Sequence, residues 1–153
     1  MMKKKSSTNT DFLSLDKQFC FALYSASLAM TKTYKPLLDE LGLTYPQYLV
    51  MLVLWQQDGL LVKEIGEKLF LDSGTLTPLL KRLEAADIIS RQRDLEDERQ
   101  VRILLRPNGN AMKKLAEKIP REILCASGQD ASQLAELRSQ LQVLRDALHT
   151  KLN

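Results

Sequence analysis

The stretch Leu61–Leu83, LVKEIGEKLFLDSGTLTPLLKRL, constrains the rest of the chain more than any other. It reads as two short helices joined by a tight corner: roughly Val62–Phe70, then a helix from a cap at Asp72 to about Ala86. In the second, Leu76, Leu79, Leu80 and Leu83 stand at i, i+3, i+4 and i+7 and share one buried face. At about 100° per residue, Thr75, Thr77, Pro78, Lys81 and Arg82 fall on the other side, with Ser73 at the helix start. Hydroxyls near a helix start and cations one or two turns later suit an element that enters a DNA major groove and touches phosphates. A lone Thr/Lys stripe is more commonly just a solvated face, so the neighbouring segments must decide. Pro78 removes one backbone hydrogen bond, which predicts a local bend or a start later than Asp72.

Residues 88–105 switch period. Ile89, Arg91 and Arg93 alternate with Ser90 and Gln92, and Val101, Ile103 and Leu105 alternate with Arg102 and Leu104. Two short strands joined by Leu95-Glu96-Asp97-Glu98 make a hairpin. A helix-turn-helix followed at once by a hairpin with arginines at its tip is a winged helix, here about 44–106. The predicted fold is therefore mainly α (α+β), with helices flanking the winged core on both sides.

Those flanks carry apolar seams. From about Leu13 to Leu41 the pattern is helical, with Phe19, Leu23, Ala26, Met30 and Leu37 on a heptad-like line. Pro36 should bend or divide this helix near its end, and Gly42 stops it. Thr44-Tyr45-Pro46-Gln47 opens the next helix as a capping box, and Asp58-Gly59 ends it beyond Trp55. Helix returns from Pro107 to about Ala126, with Pro120 near its last turns and Ser127-Gly128 as the stop. Asp130 then caps a last helix in which Leu134, Leu137, Leu141, Leu144 and Leu148 alternate three and four apart. That strip needs a partner. Helices at about 13–41 and 107–152 therefore predict a dimerisation region and a homodimer. Two-fold symmetry puts two reading helices on one side, which implies a double-stranded, pseudo-palindromic operator with half-sites about a helical turn apart.

Composition bounds the alternatives. A chain of 153 residues makes one domain, read as 13–153 after a basic, disordered arm over 1–12. That arm, MMKKKSSTNT, has no apolar run behind it and is not a secretory signal. The apolar run at 49–55 is too short to span a membrane, so a cytoplasmic protein with no membrane partner is expected. Net charge is +3 with a pI near 8.9. Residues 62–106 hold nine Lys/Arg against nine Asp/Glu, so DNA affinity there must come from placement. Two distant cysteines and one histidine cannot supply the roughly four ligands of a zinc site, so neither metal nor cofactor is expected. His149 reads as a solvated residue of the last helix.

The chain resembles the MarR family of repressors, and within it the organic-hydroperoxide-resistance regulators of the two-cysteine subgroup. The residues that carry the likeness are FCFALYSA at 19–26, LTYPQYLVMLVLW at 43–55, IGEKLFLDSGTLTPLLKRLE at 65–84, DERQV at 97–101 and Cys125. The resemblance implies a peroxide-sensing repressor with organic hydroperoxides as inducer. Cys20 would be the sensing thiol, hydrogen-bonded by Tyr34 and Tyr45, with Tyr24 lining the same pocket. Cys125 would resolve it through a disulfide between subunits. Arg99 would enter the minor groove, steadied by Asp97. Arg106 departs from the family pattern, which places a Thr cap there, and Pro107 in the first turn is expected to compensate.

Helix geometry sharpens one of those roles. Cys20, Tyr24 and Tyr34 point within about 40° of one direction, but Tyr34 lies roughly 21 Å along the axis from Cys20. If the two meet, the tyrosine comes from the other subunit. The chemistry needs a thiolate, and phenols donating to sulfur favour that form. Peroxide gives a sulfenic acid that condenses with a second thiol, whose Cα must come within about 7 Å. Cys125, between Pro120 and Gly128, sits where a helix end can move. Two rivals remain. A MarR-type repressor could instead be released by a small aromatic ligand. A two-cysteine thiol peroxidase would be an enzyme, but the chain shows neither a His or Arg beside the thiol nor a βαβ pattern, and the reading is a regulator.

Overall fold

The computed structural model describes residues 12–153, so the expected basic arm falls outside the described residues apart from Phe12. A 3₁₀ turn at Leu15–Lys17 leads into α1 (Phe19–Asp39), α2 (Tyr45–Gln56), α3 (Val62–Leu69) and α4 (Ser73–Ala85). The hairpin β1 (Ile89–Arg93) and β2 (Val101–Leu105) follows, then α5 (Pro107–Ala116), α6 (Ile119–Ser127) and α7 (Ala131–Leu152). The molecule is mainly helical, with one two-stranded antiparallel sheet.

Local chemistry sets these boundaries. At the start of α2, the Gln47 N–H donates to Thr44 Oγ1 and the Thr44 N–H donates to Gln47 Oε1, a complete capping box. Asp72 Oδ1 accepts the Thr75 N–H at 2.7 Å and fixes the first turn of α4. Pro78 does not delay that start: α4 runs unbroken from Ser73, one hydrogen bond short. Between α3 and α4 the chain turns on Phe70 in the left-handed conformation, and the Leu71 N–H donates to Gly66 O. A Cβ on Gly66 would lie 2.7 Å from Leu71 O, so only glycine lets the corner close this tightly.

Two expectations need correcting. The helix from Pro107 is not continuous to Ala126 but stops at Ala116 and resumes at Ile119. Pro120 explains the break, because it lacks an N–H and its ring would meet the carbonyl of Ala116. Conversely, Pro36 does not divide α1, which continues through it to Asp39.

The core lies between α2, α3, α4 and the root of the hairpin. Met51, Leu54, Ile65, Leu76, Leu80, Leu83, Ile89 and Ile103 are fully buried there. The Ile103 N–H donates to Leu60 O at 2.8 Å, and Leu61 pairs with Arg102, so the segment before α3 edges the sheet. The Arg102 guanidinium reaches Gly59 O and Asp94, which ties the hairpin to the α2–α3 turn.

The flanking helices look different. No residue of α7 is buried, and Leu137 and Leu148 remain half-exposed. Leu23 from α1 joins Leu134, Leu141, Leu144 and Leu148 around an open apolar groove. Phe19, Phe21, Leu28 and Met30 extend the uncovered face of α1. Apolar surface of this extent on one protomer marks an interaction face.

Candidate nucleic-acid interface and thiol sensor

On α4, Leu76, Leu80 and Leu83 point into the core, while Ser73, Thr75, Pro78, Lys81 and Arg82 are exposed. Thr77 is half-buried, and its hydroxyl donates to Ser73 O at 2.7 Å, which leaves it only acceptor capacity toward a ligand. Glu84, near the end of α4, accepts both the backbone N–H and the guanidinium Nε of Arg91, each at 3.1 Å. The wing and the reading helix are thereby joined.

The nine-against-nine charge balance resolves in space. Arg91 pairs with Glu84, Arg102 with Asp94 and Arg106 with Asp87, so three cations are taken up by intramolecular ion pairs. Among the described residues, Lys63, Lys81, Arg82, Arg93 and Arg99 are exposed and make no ion pair. Lys63 and Arg99 line one groove with Ser73 and Thr77, between the start of α3, the start of α4 and the wing. Lys63 was not singled out from the sequence, because α3 presented no stripe of its own. Asp97 steadies the wing tip through the backbone: its Oδ1 accepts the Arg99 N–H at 3.1 Å, not the guanidinium. Arg106 caps nothing; it pairs with Asp87, and Pro107 opens α5.

The residues expected to form the sensor separate into two places. Cys20, the second residue of α1, is an exposed free thiol, with Tyr24 exposed one turn on. Tyr34 instead packs on Tyr45 with ring centroids 4.9 Å apart, and Tyr48 completes the group at 5.9 Å from Tyr34. Tyr48 is buried and was missed in the sequence, although its i+3 spacing from Tyr45 on a capped helix was the available signal. Burial, reinforced by the neighbouring phenols, pushes Tyr34 up to about 12 and raises Tyr45 and Tyr48 as well. All three are therefore neutral O–H donors at physiological pH. Since α1 is uninterrupted, Cys20 lies roughly 21 Å from Tyr34 of its own protomer.

Cys125 is a second exposed free thiol, in the last turn of α6, which ends at Gly128 with φ 66°. Lys118 at the foot of α6 pairs with Glu40, at the far end of α1 from Cys20. Cys20 and Glu40 are separated by roughly 30 Å of helix, and α6 rises only about 10 Å by Cys125. His149 is not simply solvated as expected: its ring stacks on Phe70 at 4.9 Å.

A reading helix presented beside a hairpin wing defines the class: this is a winged-helix transcription regulator. A family profile described as transcriptional regulator SarA/Rot matches residues 32–117. The chain is 51% identical over 92% of its length to the organic hydroperoxide resistance transcriptional regulator of Bacillus subtilis, covering 96% of that protein. It is also similar to the solved structure of reduced AbfR bound to DNA, with a TM-score of 0.81 and 32% identity over 95% of this chain and 100% of that one. Disulfide-formed AbfR gives a TM-score of 0.62 and 35% identity over 92% and 98%; AbfR is a protein of Staphylococcus epidermidis. The chain belongs to the organic hydroperoxide resistance family of MarR-type transcriptional regulators.

Proposed function

We propose that the protein is a homodimeric repressor that holds a pseudo-palindromic operator when reduced and releases it after Cys20 is oxidised by an organic hydroperoxide. The observation that carries this is the separation, along α1, of an exposed thiol from Tyr34 and the neutral phenols of α2 packed on it, beside an uncovered apolar face. A partner laid antiparallel along α1 would bring its Tyr34 and Tyr45 to this Cys20. As a repressor whose helices include none long and apolar enough to cross a membrane among the described residues, it would work in the cytoplasm.

In the proposed step, the Cys20 thiolate attacks one peroxide oxygen and the O–O bond breaks. The departing alkoxide takes a proton and leaves as an alcohol, so sulfur is oxidised to the sulfenic acid as the peroxide is reduced. The partner's Cys125 thiol then displaces water to form a disulfide. Within one protomer α6 starts at the Lys118–Glu40 pair, roughly 30 Å of helix from Cys20, and rises only about 10 Å to Cys125, which favours the inter-subunit bond. DNA contacts fall to Ser73, Thr75, Thr77, Pro78, Lys81 and Arg82 on α4 and to Arg99 on the wing, whose turn Asp97 shapes.

Release requires the crosslinked form to disfavour the DNA-competent arrangement. Moving a population from almost all on to almost all off takes roughly 5.5 kcal/mol of differential stability. The greater likeness to the reduced, DNA-bound relative than to its disulfide form supports reading this arrangement as the competent one. The test is binding to a duplex from upstream of the protein's own gene, before and after cumene hydroperoxide. Wild type should release it, and Cys20→Ser should bind as well yet stay bound. Normal release by Cys20→Ser would remove the thiol from the mechanism.

A further inference from the structure

Phe70, at the corner between α3 and α4, holds φ 57° and ψ 36°, a conformation that aromatic residues rarely adopt. Its ring is gripped by the last turns of α7. His149 stacks on it with 23° between the planes, and Arg145 Cζ stands 4.3 Å from its centroid. The Arg145 guanidinium is itself oriented by Asp146 at 3.0 Å. No residue of α7 is buried in the protomer, and these two contacts tie its last turns to the corner of the DNA-reading unit. The corner has little slack. Gly66 closes against Leu71 O, and Asp72, two residues past Phe70, caps α4. A displacement at residues 145–149 therefore reaches the first turn of α4 directly.

We propose that Phe70 is a positioning residue: gripped by Arg145 and His149, it couples the dimerisation helix to the reading helix and sets how far crosslinking loosens DNA. Cys125 lies on α6, and only a short turn at Gly128 and Gln129 leads from it into α7, so movement of α6 is passed on to this contact. The inference rests on the sensing role assigned to Cys20 and Cys125. The strain at φ 57° fits a corner that is held in place by what packs on it.

The test uses the full chain and a duplex from its own upstream region. The dissociation constant is measured for dithiothreitol-reduced and for cumene-hydroperoxide-oxidised protein, with crosslinking read on non-reducing gels. In the double variant Arg145→Ala/His149→Ala, whose changes lie on the surface of α7, the oxidised-to-reduced ratio should fall at least fivefold while the crosslinked fraction matches wild type. Phe70→Leu should behave likewise, and Phe70→Tyr, which keeps the stacked ring, should restore the ratio. An unchanged ratio in the double variant at equal crosslinking overturns the proposal, even if Tm falls, since the contact then serves stability alone. A wild-type ratio of one sinks the sensing role itself, and the coupling with it.

Discussion

Tyr34 and Tyr45 pack as tilted rings with centroids 4.9 Å apart, yet Cys20, on the same helix as Tyr34, lies roughly 21 Å away along the axis. The phenols and the thiol thus occupy different ends of one protomer and can form a single site only across two. Oxidation at a site shared in this way would be coupled to the subunit interface from the outset, because the reacting atom and its hydrogen-bond donors would belong to different chains.

Removing the phenolic oxygens should slow sensing without dismantling the fold. A hydrogen bond to a charged acceptor is worth about 1.5–3 kcal/mol, on the order of tenfold or more in the population of that form. Tyr34→Phe and Tyr45→Phe should each lower the rate of Cys20 oxidation by cumene hydroperoxide at pH 7 about tenfold, while reduced DNA binding stays near wild type. Stopped-flow loss of thiol measures it, and wild-type rates in both variants would show that the phenols do not touch the sulfur.

The buried phenols also predict an alkaline limit. The folded state raises Tyr34 to about 12 and shifts Tyr45 and Tyr48 the same way. A raised folded value means the contribution to stability is intact below the unfolded tyrosine value near 10, and is lost as pH climbs through the folded one. Tyrosinate absorbance should therefore lag behind that of the denatured chain, and denaturant midpoints should drop between about pH 10 and 12. Coincident titration of folded and unfolded protein would contradict the burial of this cluster.

The wing and its root should separate in their salt dependence. Arg99, exposed and in no ion pair among the described residues, should on replacement by Ala reduce the slope of log affinity against log salt by about 1. Arg102 holds Asp94 and Gly59 O, so Arg102→Ala should instead lower Tm, with weaker binding following from a loosened hairpin. An unchanged slope for Arg99→Ala would argue against a DNA-contacting wing.

Oxidised wild type should run as a covalent dimer on non-reducing gels, and Cys125→Ser should run as a monomer. Pro120→Ala restores the missing N–H, favours one continuous helix across Glu117–Lys118 and should slow crosslinking by stiffening the approach of Cys125. Equal crosslinking rates in this variant would assign the break between α5 and α6 no part in the chemistry.

The winged core was legible because its signals are local. Leucines at helical spacing, the Thr44 and Asp72 caps and the change to period two after Ile88 each fix an element without help from the rest of the chain. What escaped depends on contacts remote in sequence. Nothing around His149 shows that it meets Phe70, seventy-nine residues earlier. The pairing of Arg91, Arg102 and Arg106 with acids likewise decides which cations face outward, and a charge count cannot reveal it. Pro120 was visible, but its consequence was placed too late, since a proline ends the turn before it and not the turn after. Of the candidate sensor, the residue types were readable, but that Tyr48 packs with Tyr34 and Tyr45 was not, because a core aromatic and a site aromatic look alike in sequence.

The most direct test of a shared sensor is a mixed dimer. Cys20→Ser protomers and Tyr34→Phe protomers, co-refolded so that heterodimers form, leave one site that combines an intact Cys20 with an intact Tyr34 only if the two come from different chains. Rapid, wild-type-like oxidation of the single Cys20 in the isolated heterodimer, half the number in a wild-type dimer, is the predicted result. Oxidation no faster than in the Tyr34→Phe homodimer would place thiol and phenol outside a common trans site and contradict the account.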